Sequence, residues 1–309
     1  MKKKICIIGA GLGGLSAAIR LANKGYEVDL YEQNDLVGGK AGEINEQGYR
    51  FDTGPSLLTM PNVIKELFDE CGVNIDDYIT INKLDIICKY FYPDKTIINA
   101  YSDLNKFGKE VDEKTNDNSS SLNNYLNYCN TIYDYAGDLF LTKDIFTTST
   151  YLNKKTFSTL LNINKIDPFR TMDEANSSFF KDQKLVQLFN RYGTYSGSNP
   201  YLAPATLNII SHVEYNQGSY IPVGGIYSIT KALWKLAVQK NVNIFLNKKI
   251  DEIVVENSVA KAIRIGENNI QYDKIISNVD VNYTFKNLIK NINSRESNRY
   301  NKMRPSFSG

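Results

Sequence analysis

Lys4-Ile5-Cys6-Ile7-Ile8-Gly9-Ala10-Gly11-Leu12-Gly13-Gly14-Leu15, continued by Ala18, Ile19, Ala22, Gly25 and then Glu27-Val28-Asp29-Leu30-Tyr31-Glu32, is the stretch on which the fold turns. Lys4 to Ile8 is a short apolar run with the length of a buried strand. Leu15, Ala18, Ile19 and Ala22 recur at helical spacing, and Gly25 punctuates the end of that helix. Glu27 to Tyr31 is a second strand. The order strand, glycine turn, helix, strand is a βαβ unit, and the glycines have separate tasks in it. Gly9 makes the tight turn, Gly11 lets the backbone approach a pyrophosphate, and Gly14 lets the helix lie close on the sheet. The helix start then offers unpaired N–H groups and a positive dipole end to phosphate. Glu32, closing the second strand, is placed to accept hydrogen bonds from ribose hydroxyls and repels a 2′-phosphate. A bare glycine motif matches many loops by chance; this one stands in the full context its chemistry requires.

The residues after Glu32 separate two kinds of dinucleotide site. Gly38-Gly39-Lys40 follow shortly. Together with Gly9, Gly11, Gly13, Gly14, Gly25 and Glu32, that second glycine pair resembles the extended flavoprotein fingerprint, which implies FAD rather than NAD. The pair permits a second close backbone approach, and Lys40 is in reach of a phosphate, its plain alternative being a surface lysine.

Further along come Gly48-Tyr49-Arg50-Phe51-Asp52-Thr53-Gly54-Pro55-Ser56 and Leu57 to Pro61. A second block runs from Arg191-Tyr192-Gly193-Thr194-Tyr195-Ser196-Gly197-Ser198-Asn199-Pro200-Tyr201 to Asn208, then His212, Glu214, Gly218 and Pro222-Val223-Gly224-Gly225-Ile226. Ser277-Asn278-Val279-Asp280 closes a third. These blocks resemble the FAD-dependent carotenoid desaturases of the phytoene-desaturase family along nearly the whole chain, most weakly over 101–184. Ser198-Asn199-Pro200-Tyr201, with Lys89-Tyr90-Phe91-Tyr92 upstream, leans towards the hydroxycarotenoid 3,4-desaturase branch. The resemblance implies that FAD is the cofactor, that Asp52, Thr53, Gly54, Pro55 and Ser56 lie beside the flavin, and that Val254 is on a strand near the adenine. It implies a carotenoid or other isoprenoid hydrocarbon as substrate, formation of C=C bonds, a quinone or dioxygen as electron acceptor, and a cytoplasmic enzyme bound peripherally at the membrane surface. It also implies a glycine-rich C-terminal segment beside the flavin ring. That segment is expected beyond Gly309, so that residues 1–309 alone would not desaturate a carotenoid.

The expected fold is α/β: a Rossmann-like FAD-binding domain, discontinuous over 1–100 and 215–295, interleaved with an α+β substrate domain. Residues 101–214 form part of that second domain, and 296–309 open a further, truncated segment of it. Ile226, Ile229, Leu233 and Leu236 share a helix face. Strands are expected at Asn243–Leu246, Ile250–Glu256, Val259–Ile265 and Ile270–Ile276. In the middle, Leu122, Tyr125, Leu126, Cys129, Ile132, Tyr133 and Ala136 follow helical spacing. Polar Asp112–Ser121 reads as a loop. Leu139–Phe169 mixes aromatics, aliphatics and lysines, as either a membrane-facing surface or an ordinary helix pair does.

Composition narrows the function. A formal net charge of +2 over 309 residues argues against a nucleic-acid binder. The four cysteines have neither metal-ligand nor redox-motif spacing, and no metal is expected. The charged and apolar N-terminus could pass for a signal peptide, but its glycines are better explained by the nucleotide turn. There is a single histidine, His212, so a Ser-His-Asp triad or His-rich metal site is hard to build. No catalytic side chain is named; the chemistry rests on the cofactor. Two competing readings stay open: an amine-oxidase-like flavoenzyme, which shares the N-terminal fingerprint, and an inactive nucleotide-binding fragment.

Overall fold

A computed structural model describes residues 2–137, 159, 161–290, 299–300 and 302–303. The chain divides into two units, one of Met1–Asn82 with Ile221–Arg304 and one beginning at Lys83 and running to Tyr220. In chain order the elements used here are β1 (Lys4–Ile8), α1 (Leu12–Asn23), β2 (Glu27–Tyr31), the hairpin β3 (Glu43–Glu46) and β4 (Tyr49–Asp52), and α2 (Pro61–Glu70). The second unit contributes β5 (Ile86–Phe91), β6 (Ile97–Tyr101), α3 (Leu104–Lys114), α4 (Ser119–Gly137), α5 (Met172–Phe179) and α6 (Gln183–Asn190). The chain then returns with α7 (Tyr227–Gln239), β7 (Asn243–Phe245), β8 (Glu252–Glu256), β9 (Val259–Ile265), β10 (Asn268–Gln271) and β11 (Lys274–Ser277).

The first unit is built on a parallel sheet in the order β7-β2-β1-β11. Alternation along β1 decides its two faces. Ile5 and Ile7, with Val28 and Leu30 of β2, point into a core shared with α1, α2 and α7. Cys6, Ile8 and Tyr31 point the other way, into a core with Ile253 and Ile263 of the β8-β9-β10 meander and Tyr272. A parallel sheet covered on both faces needs apolar residues at nearly every position, and these two strands supply them. Asp29 is the exception. It is buried, and Lys4 Nζ lies 3.0 Å from its carboxylate. Tyr272 donates to it at 2.6 Å and Asn243 at 2.8 Å.

Two sequence expectations change here. The stretch Ile270–Ile276 is two strands: β10 pairs antiparallel with β9, and after Tyr272-Asp273 the chain becomes β11, parallel to β1. Apolar alternation runs through both, so the pattern hides the break. The strand expected from Ile250 begins at Glu252.

In the second unit, hairpin β5–β6 lies on α3: the Asn99 N–H donates to Glu110 at 2.8 Å and Lys114 Nζ to the Ile97 carbonyl at 2.9 Å. These bonds place residues 86–100 with the second unit, whereas the sequence boundary at 100 put them with the first. α4 buries Leu122, Tyr125, Leu126, Cys129, Ile132 and Ala136, and Tyr125 anchors an aromatic core with Phe179, Phe180 and Phe189 at ring distances of 4.2–5.6 Å. The loop expected over Asp112–Ser121 shrinks to 115–118, because α3 runs through Lys114 and α4 starts at Ser119. Its polar residues tie the connection to a distant part of the unit instead of merely facing water; the Asp117 carboxylate accepts from the N–H groups of Lys181 and Asp182 at 2.8–3.0 Å. Most of Leu139–Phe169 and all of 304–309 lie outside the described residues.

Candidate functional site

The carboxyl ends of β1 and β2 open onto a cavity of about 630 Å³, formed within the first unit. Ligands of parallel α/β sheets bind at this edge, where loops diverge from the strand ends. α1 starts there. Its N-cap, Gly11, makes no side-chain cap and no acidic residue stands in its first turn, so nothing from the helix itself neutralises the positive end. Gly14 must be glycine, since a Cβ would lie 2.0 Å from the Gly9 carbonyl oxygen. The second glycine pair closes directly on the first turn. Gly38 N–H donates to the Ala10 carbonyl at 2.8 Å, Gly11 and Gly38 form a parallel bridge, and Gly38 holds a φ of +116° that other residues rarely adopt.

Glu32 is buried where β2 ends. One carboxylate oxygen accepts from the Ala10 N–H at 2.9 Å and the other from Asn34 N–H at 3.0 Å. Each oxygen retains a second lone-pair direction, so the side chain both ties the glycine turn and can still accept a hydroxyl.

Of the residues singled out in the sequence, Gly9, Gly11, Glu32, Gly38, Gly39, Lys40 and Pro55 line the cavity. Gly13 and Gly14 sit behind it in α1. Thr53 and Gly54 run alongside the wall: Thr53 N–H donates to Gly42 O at 3.0 Å, and a Cβ on Gly54 would meet the Lys40 carbonyl oxygen at 2.0 Å. Ser56 and Val254 are not in the lining; Val254 pairs with Ala262 across the meander. Asp52 has another occupation here. Its carboxylate accepts from the N–H groups of Ile226 and Tyr227, both at 3.1 Å, capping α7 from across the chain. Arg50 steadies it at 3.0 Å.

Sequence reasoning quoted Ser277-Asn278-Val279-Asp280 as a block of the resemblance but assigned no cofactor contact to the far wall. Asn278, Val279, Asp280, Tyr283 and Leu288 line the cavity, as do Lys248, Lys249 and Ile250. Asn278 matters most. A Cβ on Gly13 would lie 2.6 Å from its side-chain oxygen, and one on Gly11 3.3 Å from its side-chain nitrogen. The glycines therefore make room for this carboxamide as well as for a ligand. Asn278 follows β11, the strand beside β1, so strand order was the signal that would have found it.

The family of flavin containing amine oxidoreductases matches residues 12–285. The chain belongs to that family. This flavoprotein is 37% identical over 296 residues to 1-hydroxycarotenoid 3,4-desaturase of Flavobacterium sp. (strain P99-3), covering 95% of the chain and 60% of that relative. It is 33% identical over 308 residues to 4,4'-diapolycopene oxygenase of Methylomonas sp, covering 99% and 61%. Among solved structures, an oxidoreductase from Methanosarcina mazei superposes with a TM-score of 0.64 at 18% identity, covering 97% of this chain and 64% of that one. The chain thus spans about 60% of the length of the curated relatives it matches.

Its cofactor is FAD, and the cavity fits the nucleotide half of that molecule. The uncapped start of α1, the backbone around Gly11, and the lining lysines Lys248 and Lys249 suit a diphosphate. Glu32 suits a ribose. Ile8, Ile250 and Leu288 give an apolar end. Among the described residues no cluster of His, Cys, Asp and Glu could hold a metal ion.

Proposed function

We propose that the protein containing this chain is an FAD-dependent carotenoid oxidoreductase that introduces C=C bonds, of the 1-hydroxycarotenoid 3,4-desaturase kind. The observation that carries the cofactor part of this reading is the cavity at the ends of β1 and β2, with its uncapped helix start and its carboxylate at Glu32. The likeness to carotenoid enzymes over nearly all of the chain supports the substrate part, and favours it over an amine substrate. Bound FAD supplies a hydride acceptor, and loss of a hydride and a proton from neighbouring carbons turns CH–CH into C=C. The chain's own residues bind and orient: Gly11 and the α1 start hold phosphate, Glu32 holds ribose, and Asn278 fixes the glycine turn from the opposite wall. A quinone or dioxygen is the acceptor that restores the oxidised cofactor.

A long hydrocarbon substrate resides in a bilayer, so the enzyme works from the cytoplasmic side as a peripheral protein. Among the described residues no helix is long and apolar enough to cross a membrane, while Leu161 and Phe169 expose 71% and 79% of their surface. The test is to supply a 1-hydroxylated carotenoid in liposomes to the FAD-loaded full-length protein, with quinone or in air. Expected are co-flotation with the vesicles and a red shift of the carotenoid's visible absorption as conjugation lengthens. The variant Gly11→Val should lose bound flavin, read by its fluorescence, and with it the red shift. Retained FAD with no spectral change on any carotenoid would overturn the reading.

A further inference from the structure

Gly13 is a glycine that the nucleotide motif does not ask for. Gly9 turns the chain with a φ of +94°, Gly11 admits a ligand and Gly14 clears the Gly9 carbonyl oxygen, but position 13 is one of the motif's free positions. The opposite wall of the cavity supplies the reason. A Cβ at 13 would lie 2.6 Å from Oδ1, 3.5 Å from Cγ and 3.7 Å from Nδ2 of Asn278, so its nearest neighbours all belong to one carboxamide. The same group covers the rest of the turn. Its Nδ2 would stand 3.3 Å from a Cβ on Gly11 and 3.2 Å from one on Gly14, and it reaches the Gly9 carbonyl oxygen at 3.5 Å. The Asn278 side chain is thus seated in the hollow of the glycine turn, at the start of α1, and Gly13 is what lets it sit there.

That seat is built into the sheet. Asn278 N–H donates to the Ile8 carbonyl at 2.8 Å, carrying the pairing of β11 with β1 one residue further, to the strand end from which the turn springs. Asp280 also lines the cavity, but its carboxylate accepts from Tyr283 N–H at 3.0 Å and caps the helical turn that follows. The group that this wall lays on the glycine turn is therefore a neutral amide. Its nitrogen carries two N–H donors, so it can hold the Gly9 oxygen and a phosphate oxygen together. Asn278 is exposed and lines the cavity, which leaves the amide open to a ligand at the start of α1.

We propose that Asn278 is a side-chain donor to the diphosphate of FAD, seated by Gly13, so that residues 13 and 278 form one recognition unit. This rests on the FAD site described above and is independent of the carotenoid substrate. A hydrogen bond from an amide to a charged phosphate is stronger than one between neutral groups, and it acts on the diphosphate alone. Position 13 then separates binding from folding. The methyl of Gly13→Ala meets the far end of a side chain, which can swing away, and alanine is the better helix residue. The variant should melt no lower than the wild type without flavin, and yet bind the diphosphate more weakly because Asn278 is displaced.

The test measures dissociation constants of ADP and of adenosine by calorimetry on flavin-depleted full-length protein. FAD retained on dilution of the purified protein, read by flavin fluorescence, is the second measure. Asn278→Ala should weaken ADP about tenfold and leave adenosine within about twofold. Asn278→Asp sets a like charge against the diphosphate and should weaken ADP further. Gly13→Ala should match Asn278→Ala for ADP, and the double variant should be no weaker than either, as expected of two residues acting through one contact. Unchanged ADP binding in Asn278→Ala, or equal weakening of ADP and adenosine, would overturn the proposal. So would a double variant in which the two losses multiply, because the methyl would then obstruct the ligand itself. A wild type that binds neither probe would overturn the nucleotide site and the inference with it, whereas failure of the variants alone leaves the site standing.

Discussion

Two buried carboxylates, one in each unit, are treated in opposite ways. Asp29 in the first unit is enclosed by donors at 2.6, 2.8 and 3.0 Å. Glu214 in the second is met only at longer range, by the Tyr195 hydroxyl at 3.3 Å and Arg191 Nη2 at 3.4 Å. Burial opposes the charge of both. For Asp29, the bonds from Tyr272, Asn243 and Lys4 outweigh burial and bring the pKa below its ordinary 3.8. For Glu214 burial wins and the pKa rises above 4.5. The difference separates a carboxylate whose bonds repay its burial from one whose longer contacts do not. A closed network rigidifies the elements it joins, while loosely met buried polar groups are costly.

The largest effect should come from Asp29→Asn, which leaves Lys4 and Tyr272 imperfectly matched inside the sheet. A loss of about 2–3 kcal/mol in urea unfolding is expected near neutral pH. Because the folded pKa is depressed, this advantage of the wild type exists above about pH 4 and fades as pH falls through the folded value. Next is Tyr272→Phe. It removes the hydroxyl that donates to Asp29 and meets the Tyr31 hydroxyl at 2.9 Å, and should cost about 1–2 kcal/mol in the same measurement. Smallest is Glu214→Gln, expected within about 1 kcal/mol. Its pH dependence should run the other way. A raised carboxyl contributes stability below about pH 4.5 that is lost as pH rises through the folded pKa, so the glutamine variant should gain on the wild type as pH rises above that range. If both carboxylate variants lose stability with the same pH slope, the contrast drawn here fails.

Much of this was legible in advance, and for local reasons. β1, the glycine turn, α1 and β2 lie within three dozen residues, and each residue's task is set by its neighbours, so the motif could be read without a structure. The buried face of α4 was legible too, because 3.6-residue spacing survives any tertiary context. Asn278 was named in a block of the resemblance, but its contact with the glycine turn was not read, because that depends on β11 joining β1, a pairing between segments far apart in the chain. Asp52 was assigned to the flavin by its company in sequence, yet its carboxylate reaches a helix start 174 residues away. Asp112–Ser121 was read as a loop because polar residues cover the exposed ends of two helices as readily as they fill a turn.

The strand order of the first unit sets a schedule for its synthesis. β1 leaves the ribosome long before its neighbour β11, which spans Lys274–Ser277. At about 5–20 residues per second, some 10–50 s separate their emergence. For that interval one edge of the nascent sheet has no partner, while the whole second unit is made between the two halves of the first. An unpaired parallel edge of Ile-rich sequence is a template for the wrong strand. The nascent protein therefore has its greatest exposure to misassembly just before Lys274 arrives, and a chaperone that shields β1 until then would raise yield without touching the finished molecule.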